Sequence, residues 1–133
     1  MRGLIASLML VLALGVLPAA AQRTEETGRV QINREKRFAK SKLRVRFVEL
    51  VEDSRCPTDT NCVWAGNARI KIRVTKNGSS EVIILDSNGP KQYATTADGH
   101  SIKFVGLTPH PRSNIRINRN GYVATFEVVK LTR

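Results

Sequence analysis

Apolar and polar residues alternate with a period of two through much of the chain, the pattern of strands that bury one face. The clearest run is Ala68 to Val74. Ala68, Ile70, Ile72 and Val74 fall on one side, with Arg69, Lys71 and Arg73 on the other. Asn77-Gly78 follows; both residues accept positive φ, so the pair predicts a tight hairpin with Ser80 to Leu85 as the return strand. Leu43 to Val51 predicts another strand, with Leu43, Val45 and Phe47 inward and Arg44 and Arg46 outward. Its phase slips after Phe47, where Val48, Leu50 and Val51 arrive out of step. A β-bulge, or a strand end buried on both faces, produces such a slip.

The rest of the chain follows the same rule. Gln22 to Gly28 is polar and reads as a frayed lead-in to a short edge strand at Arg29 to Asn33. Arg34 to Lys42 is dense in Lys and Arg and fits either a basic loop or a helical turn. Asn88-Gly89-Pro90 and Asp98-Gly99 are turn signals that enclose a short strand at Gln92 to Thr96 and precede a longer one at Ile102 to Leu107. The alternate prolines of Thr108-Pro109-His110-Pro111 exclude a helix and a central strand. Ile115 to Ile117 reads as a brief edge, Asn120-Gly121 as a tight turn, and Tyr122 to Leu131 as the last strand. Beyond the N-terminal segment no stretch keeps a helical period. About seven short strands separated by turns predict an all-β fold, a small antiparallel sandwich, with a small barrel as the alternative.

The first residues depart from this pattern. Met1-Arg2 is a positive start, Leu4 to Val16 is an apolar run too short for a bilayer, and Pro18 and Ala19-Ala20-Ala21 lead to Gln22. This is the pattern of a signal peptide over residues 1–21, with residues 22–133 as a single domain and no transmembrane segment in the mature chain. The expected location is periplasmic or extracellular. In an exported chain the two cysteines, Cys56 and Cys62, are expected to form a disulfide. Its small ring contributes roughly 2–2.5 kcal/mol, enough to shape a loop but not to hold a fold.

Both cysteines lie in the block Asp53 to Gly66, DSRCPTDTNCVWAG, with the sole tryptophan, Trp64. Pro57 stiffens the loop after the first cysteine, and Gly66 permits a bend or a close backbone approach. Trp64 is two residues beyond Cys62, so both face one side of an extended chain, and the indole is expected to anchor the loop to the core. Asp53 and Ser54 suit a side-chain-capped turn. The matched residues Asp53, Ser54, Arg55, Cys56 and Pro57, then Cys62, Val63, Trp64, Ala65 and Gly66, resemble the signature of a family of small exported bacterial proteins of uncharacterised function. That resemblance implies export and a β-rich domain, and it carries no catalytic residues.

Charge adds the main functional lead. The 133-residue chain has 22 Lys and Arg against 11 Asp and Glu, a formal charge of +11. Arg44, Arg46, Arg69, Lys71 and Arg73 all lie opposite the apolar faces of their strands. If the two strands share a sheet these cations form one stripe, which Arg34, Lys36, Arg37, Lys40 and Lys42 extend. Such a stripe favours anionic polysaccharide, lipid headgroups or an acidic protein. Few aromatics accompany it, so sequence-specific nucleic acid binding is not expected. The competing reading is a solvated polar sheet face.

Other chemistry is thin. Cys56, Cys62, His100 and His110 lack zinc-ligand spacing, and no metal or cofactor is expected. Asp98, His100 and Ser101 have the residue types of a catalytic triad, but their crowding in sequence argues against its geometry, and His100 reads as an exposed loop histidine. The expected function is therefore non-enzymatic. A second reading is a secreted inhibitor or interaction protein that presents the tied loop Arg55 to Asn61 as a rigid finger.

Overall fold

The computed structural model describes residues 24–131, together with Gly15. The expected signal segment, Gly15 apart, lies outside the described residues. Eight strands form in chain order: β1 (Glu25–Gln31), β2 (Glu35–Arg37), β3 (Arg44–Asp53), β4 (Ala68–Lys76), β5 (Ser79–Asp86), β6 (Tyr93–Thr95), β7 (His100–Thr108) and β8 (Val123–Lys130). They make two four-stranded antiparallel sheets, ordered β1-β8-β7-β6 and β2-β3-β4-β5. The sheets stack as a sandwich and do not close into a barrel. The alternating positions decide this packing: Val45 and Phe47 of β3, Ile70, Ile72 and Val74 of β4, Ile102 and Phe104 of β7 and Ala124, Phe126 and Val128 of β8 are all buried between the sheets. Phe104 and Phe126 pack with ring centroids 6.0 Å apart. Each such ring contributes roughly 1.5–3 kcal/mol through the apolar area it removes from water.

The phase slip in β3 is a real irregularity. Its register with β4 shifts between Phe47 and Glu49 and again between Leu50 and Glu52. The extra residues Val48 and Val51 are left without partners, so the strand bends while both its ends stay paired. The Asn77-Gly78 hairpin forms with φ of 51° and 80°.

Three segments differ from expectation. The polar lead-in is not frayed: Glu25 to Gly28 pairs with β8, so tertiary hydrogen bonds order a stretch of low hydrophobicity. The basic stretch from Arg34 is neither plain loop nor helical turn, because it contains β2 and then a turn that buries Phe38. The Phe38 ring lies over Gly28, where an added Cβ would come within 2.7 Å of it. The Glu26 carboxylate accepts the backbone N–H groups of Lys40 and Ser41, both at 3.1 Å, and fastens that turn to β1. Ile115 to Ile117 is not a strand; only an isolated bridge, Arg112 to Ile115, forms there.

Candidate functional site

Residues directly opposite in an antiparallel pair project to the same face, so the register places each cation on the outer face of the β2-β3-β4-β5 sheet. Arg46 lies opposite Arg73, and Arg44 lies opposite Arg37 of β2. Lys71 lies opposite Glu49, and Arg69 lies between Glu52 and Asp86. The five predicted cations therefore do not make one uniform stripe. Arg69 Nε is 2.7 Å from Asp86 Oδ1, and Lys71 Nζ is 3.1 Å from Glu49 Oε2. The Arg69 guanidinium holds the Asp86 carboxyl below the usual range despite the opposing effect of burial. These two cations are matched within the sheet.

Arg37, Arg44, Arg46 and Arg73 are not matched. Among the described residues no carboxylate comes within 4.0 Å of any of them, including Glu35, which is opposite Arg46. Like charges placed directly opposite destabilise a sheet. Two such pairs, Arg46–Arg73 and Arg37–Arg44, sit side by side at the end of the sheet remote from the disulfide. Of the flanking basic stretch Arg37 joins them, while Lys36 and Lys40 do not. Lys36 falls opposite the inward-facing Val45, and Lys40 Nζ donates to the Glu25 carbonyl at 3.3 Å.

At the other end of β3 and β4, Cys56 and Cys62 are joined with their Cα atoms 5.9 Å apart. The stem of this loop extends the strand ladder: Ser54 N–H donates to the Asn67 carbonyl at 2.8 Å and Cys56 N–H to that of Ala65 at 3.1 Å. Gly66 takes φ of 71° directly over the Ser54 backbone, the close approach its identity predicts. Pro57 is half-buried, and its carbonyl accepts Thr60 N–H at 3.2 Å to close the turn.

Trp64 does not anchor the loop. It is 81% exposed and Val63 is 93% exposed. The anchor is Arg55, which occupies the inner side of the loop. Its Nε and Nη2 donate to Asp53 Oδ1 and Oδ2 at 2.7 and 2.9 Å, while Nη1 and Nη2 donate to the carbonyls of Leu107 and Pro109 at 2.6 and 2.9 Å. Burial raises the Asp53 pKa, but the guanidinium outweighs it and holds the carboxyl below its usual value. The signal was present in the D-x-R spacing, since residues two apart share a side of an extended chain. Nothing in that spacing names the carbonyls of the opposite sheet.

The tied loop Arg55 to Asn61 is also held by its neighbour. Thr58 N–H donates to the Pro111 carbonyl at 3.0 Å, and the Asp59 carboxylate accepts the N–H and hydroxyl of Ser113 at 3.1 and 3.0 Å. Two loops from opposite sheets are thus clipped together, and Val63 and Trp64 are the large apolar residues left exposed on the tied loop.

His100 is buried rather than an exposed loop residue. Its Nδ1 lies 2.9 Å from Asp98 Oδ2, Lys76 Nζ lies 2.7 Å from the same oxygen, and the Thr96 hydroxyl donates to Asp98 Oδ1. Ser101, next along β7, projects from the other face of the strand. The cluster ties the β6–β7 turn to the end of β4. Burial acts to raise the Asp98 pKa, but the donors Lys76, Thr96 and His100 prevail and bring it from 3.8 to about 2. A carboxyl depressed on folding stabilises the fold above its unfolded pKa and ceases to do so as pH falls through the folded value. The contribution, reduced by partial solvent screening, is about 1 kcal/mol, present above about pH 4 and lost toward pH 2. Asp98→Asn is expected to lower the melting temperature at neutral pH and to flatten the wild-type loss of stability between those pH values. An unchanged acid profile would contradict this.

The fold and these contacts define a small β-sandwich with one disulfide-tied loop. Among the described residues no helix is long and apolar enough to cross a membrane. No family model, no curated protein and no solved structure matches the chain.

Proposed function

We propose that this chain is an exported, non-enzymatic β-sandwich that binds an anionic envelope component or an acidic partner through Arg37, Arg44, Arg46 and Arg73. The observation that carries this reading is the contrast within one sheet face. Arg69 and Lys71 have carboxylate partners, whereas the facing pair Arg46 and Arg73 has none among the described residues. An anion seated between the two guanidinium groups removes their repulsion and accepts paired hydrogen bonds from each. The disulfide supports a location outside the cytosol. The leader-like sequence and the resemblance of the Asp53 to Gly66 block to exported bacterial proteins support the same location.

The test is retention on an immobilised polyanion across a salt series. Arg44→Gln, Arg46→Gln and Arg73→Gln together are expected to reduce the slope of log affinity against log salt by about 2–3, as expected for the loss of three ionic contacts. Arg69→Gln with Lys71→Gln is expected to leave the slope nearly unchanged, since those cations are already paired. Wild-type retention by the triple variant, with its melting temperature unaltered, would remove the sheet face as a binding site.

A further inference from the structure

The end of the sandwich that carries the disulfide has a different surface. Val63 and Trp64 project from the outer side of the tied loop, and Ile115 on the neighbouring loop is 58% exposed. On that neighbouring loop, which Ser113 clips to Asp59 of the tied loop, Arg112, Arg116 and Arg119 are exposed, and among the described residues none has a carboxylate within 4.0 Å. The sequence supplies no acid from Gly99 through Phe126. Of the acids at this end, Asp53 is paired with Arg55, Glu52 lies 4.0 Å from Arg69, and Asp59 stays charged while accepting from Ser113, so the three arginines outnumber the carboxylates left without a close cation. The result is an exposed apolar tip on a loop braced by a covalent bond, with a cationic loop clipped to its base.

We infer that this end docks on an anionic lipid bilayer, with Val63 and Trp64 entering the headgroup layer and Arg112, Arg116 and Arg119 against the lipid phosphates. A projecting tip needs no complementary pocket, and the bilayer interface supplies none. Tryptophan favours that interface because its ring is apolar while its N–H stays hydrated. An apolar anchor this small holds only weakly by itself, so the surrounding charge is the second component that peripheral attachment needs. The three arginines together strengthen binding on the order of 100-fold at an anionic surface. The rigid loop binds without an ordering penalty at the moment of contact. This site is separate from the arginine cluster of the sheet face, which lies at the opposite end of β3 and β4, and it stands without that cluster.

The sole tryptophan makes the test direct. The oxidised full chain is titrated with vesicles of phosphatidylcholine alone, and with vesicles of phosphatidylglycerol and phosphatidylcholine in equal parts. The expected result is a blue shift of Trp64 emission, with quenching by bromine-labelled acyl chains, on the anionic vesicles only. Arg112→Gln, Arg116→Gln and Arg119→Gln together should weaken the titration on the order of 100-fold. Val63→Ser, which keeps the fluorophore, should reduce the shift while the melting temperature holds. Arg44→Gln, Arg46→Gln and Arg73→Gln should leave it intact, which separates the two sites. Unshifted emission on anionic vesicles overturns the inference, even where the protein sediments with them, because attachment then proceeds through another segment. A shift with soluble heparin and none with vesicles assigns the tip to a polysaccharide and overturns it equally.

Discussion

Arg55→Ala is expected to destabilise the fold by about 3–5 kcal/mol, the range for removing one partner of a buried ion pair. The Arg55 side chain is 10% exposed and that of Asp53 12% exposed, so the aspartate left behind cannot recover full hydration. Two carbonyls, those of Leu107 and Pro109, lose their donor at the same time. A domain of this size is stable by about 5–15 kcal/mol, so the variant approaches the limit of folding. The check is the urea midpoint at constant m-value. Arg55→Lys is expected to recover only part of the loss, because an ammonium cannot span a bidentate carboxylate and two carbonyls in one geometry. A loss below about 1 kcal/mol, typical of an exposed pair, would show that Arg55 is not the anchor.

Gly66→Ala is expected to destabilise by about 3 kcal/mol or more, combining a left-handed backbone with a steric clash. At φ of 71° an added Cβ overlaps the Ser54 carbonyl oxygen and comes to 2.9 Å from Arg55 Cα. Both obstacles are backbone atoms, so a side-chain adjustment cannot relieve them. Gly78→Ala isolates the first part of the effect. Gly78 has φ of 80°, yet an added Cβ there meets nothing within 4 Å. Its expected loss is about 1–2 kcal/mol, the conformational penalty alone. Equal losses at the two glycines would mean that the stem of the tied loop opens freely, and the rigid tip would then have no physical basis.

The two substitutions also connect stability to function. Arg55 and Gly66 set where the disulfide loop leaves the sheet, and so where Val63 and Trp64 point. Loosening either is expected to blunt the tip before it disturbs the arginine cluster at the far end of β3 and β4. The cluster depends instead on register: the β3 bulges fall after Arg46, so Arg44 and Arg46 keep their partners in β2 and β4 while the remainder of the strand bends.

Much of the sandwich was legible along the chain. Alternation at Ala68 to Val74 and from Tyr122 onward names the inner residues, because a half-buried strand must repeat every second position. Asn77-Gly78 names its hairpin, and the slip after Phe47 marks the bulged strand. Phe38 was not legible, since one aromatic in a run of cations carries no period; only the space above Gly28 gives it a place. Trp64 illustrates the same limit from the other side. Its identity argues for burial, but the inner side of the loop holds Arg55.

The sequence by itself determined which residues of the long alternating strands face inward, where the Asn77-Gly78 hairpin turns and which two sulfurs join, because these follow from local periodicity, backbone preference and a count of two. Tertiary structure alone decided which cations are matched. Arg69 and Arg73 are indistinguishable on one strand, yet one meets Asp86 and the other meets Arg46, since partners come from neighbouring strands whose register no single segment encodes. It also decided that the arginines of the Pro109 to Gly121 loop stand beside the disulfide tip, because residues some fifty positions apart are brought together only when the two sheets close on one core.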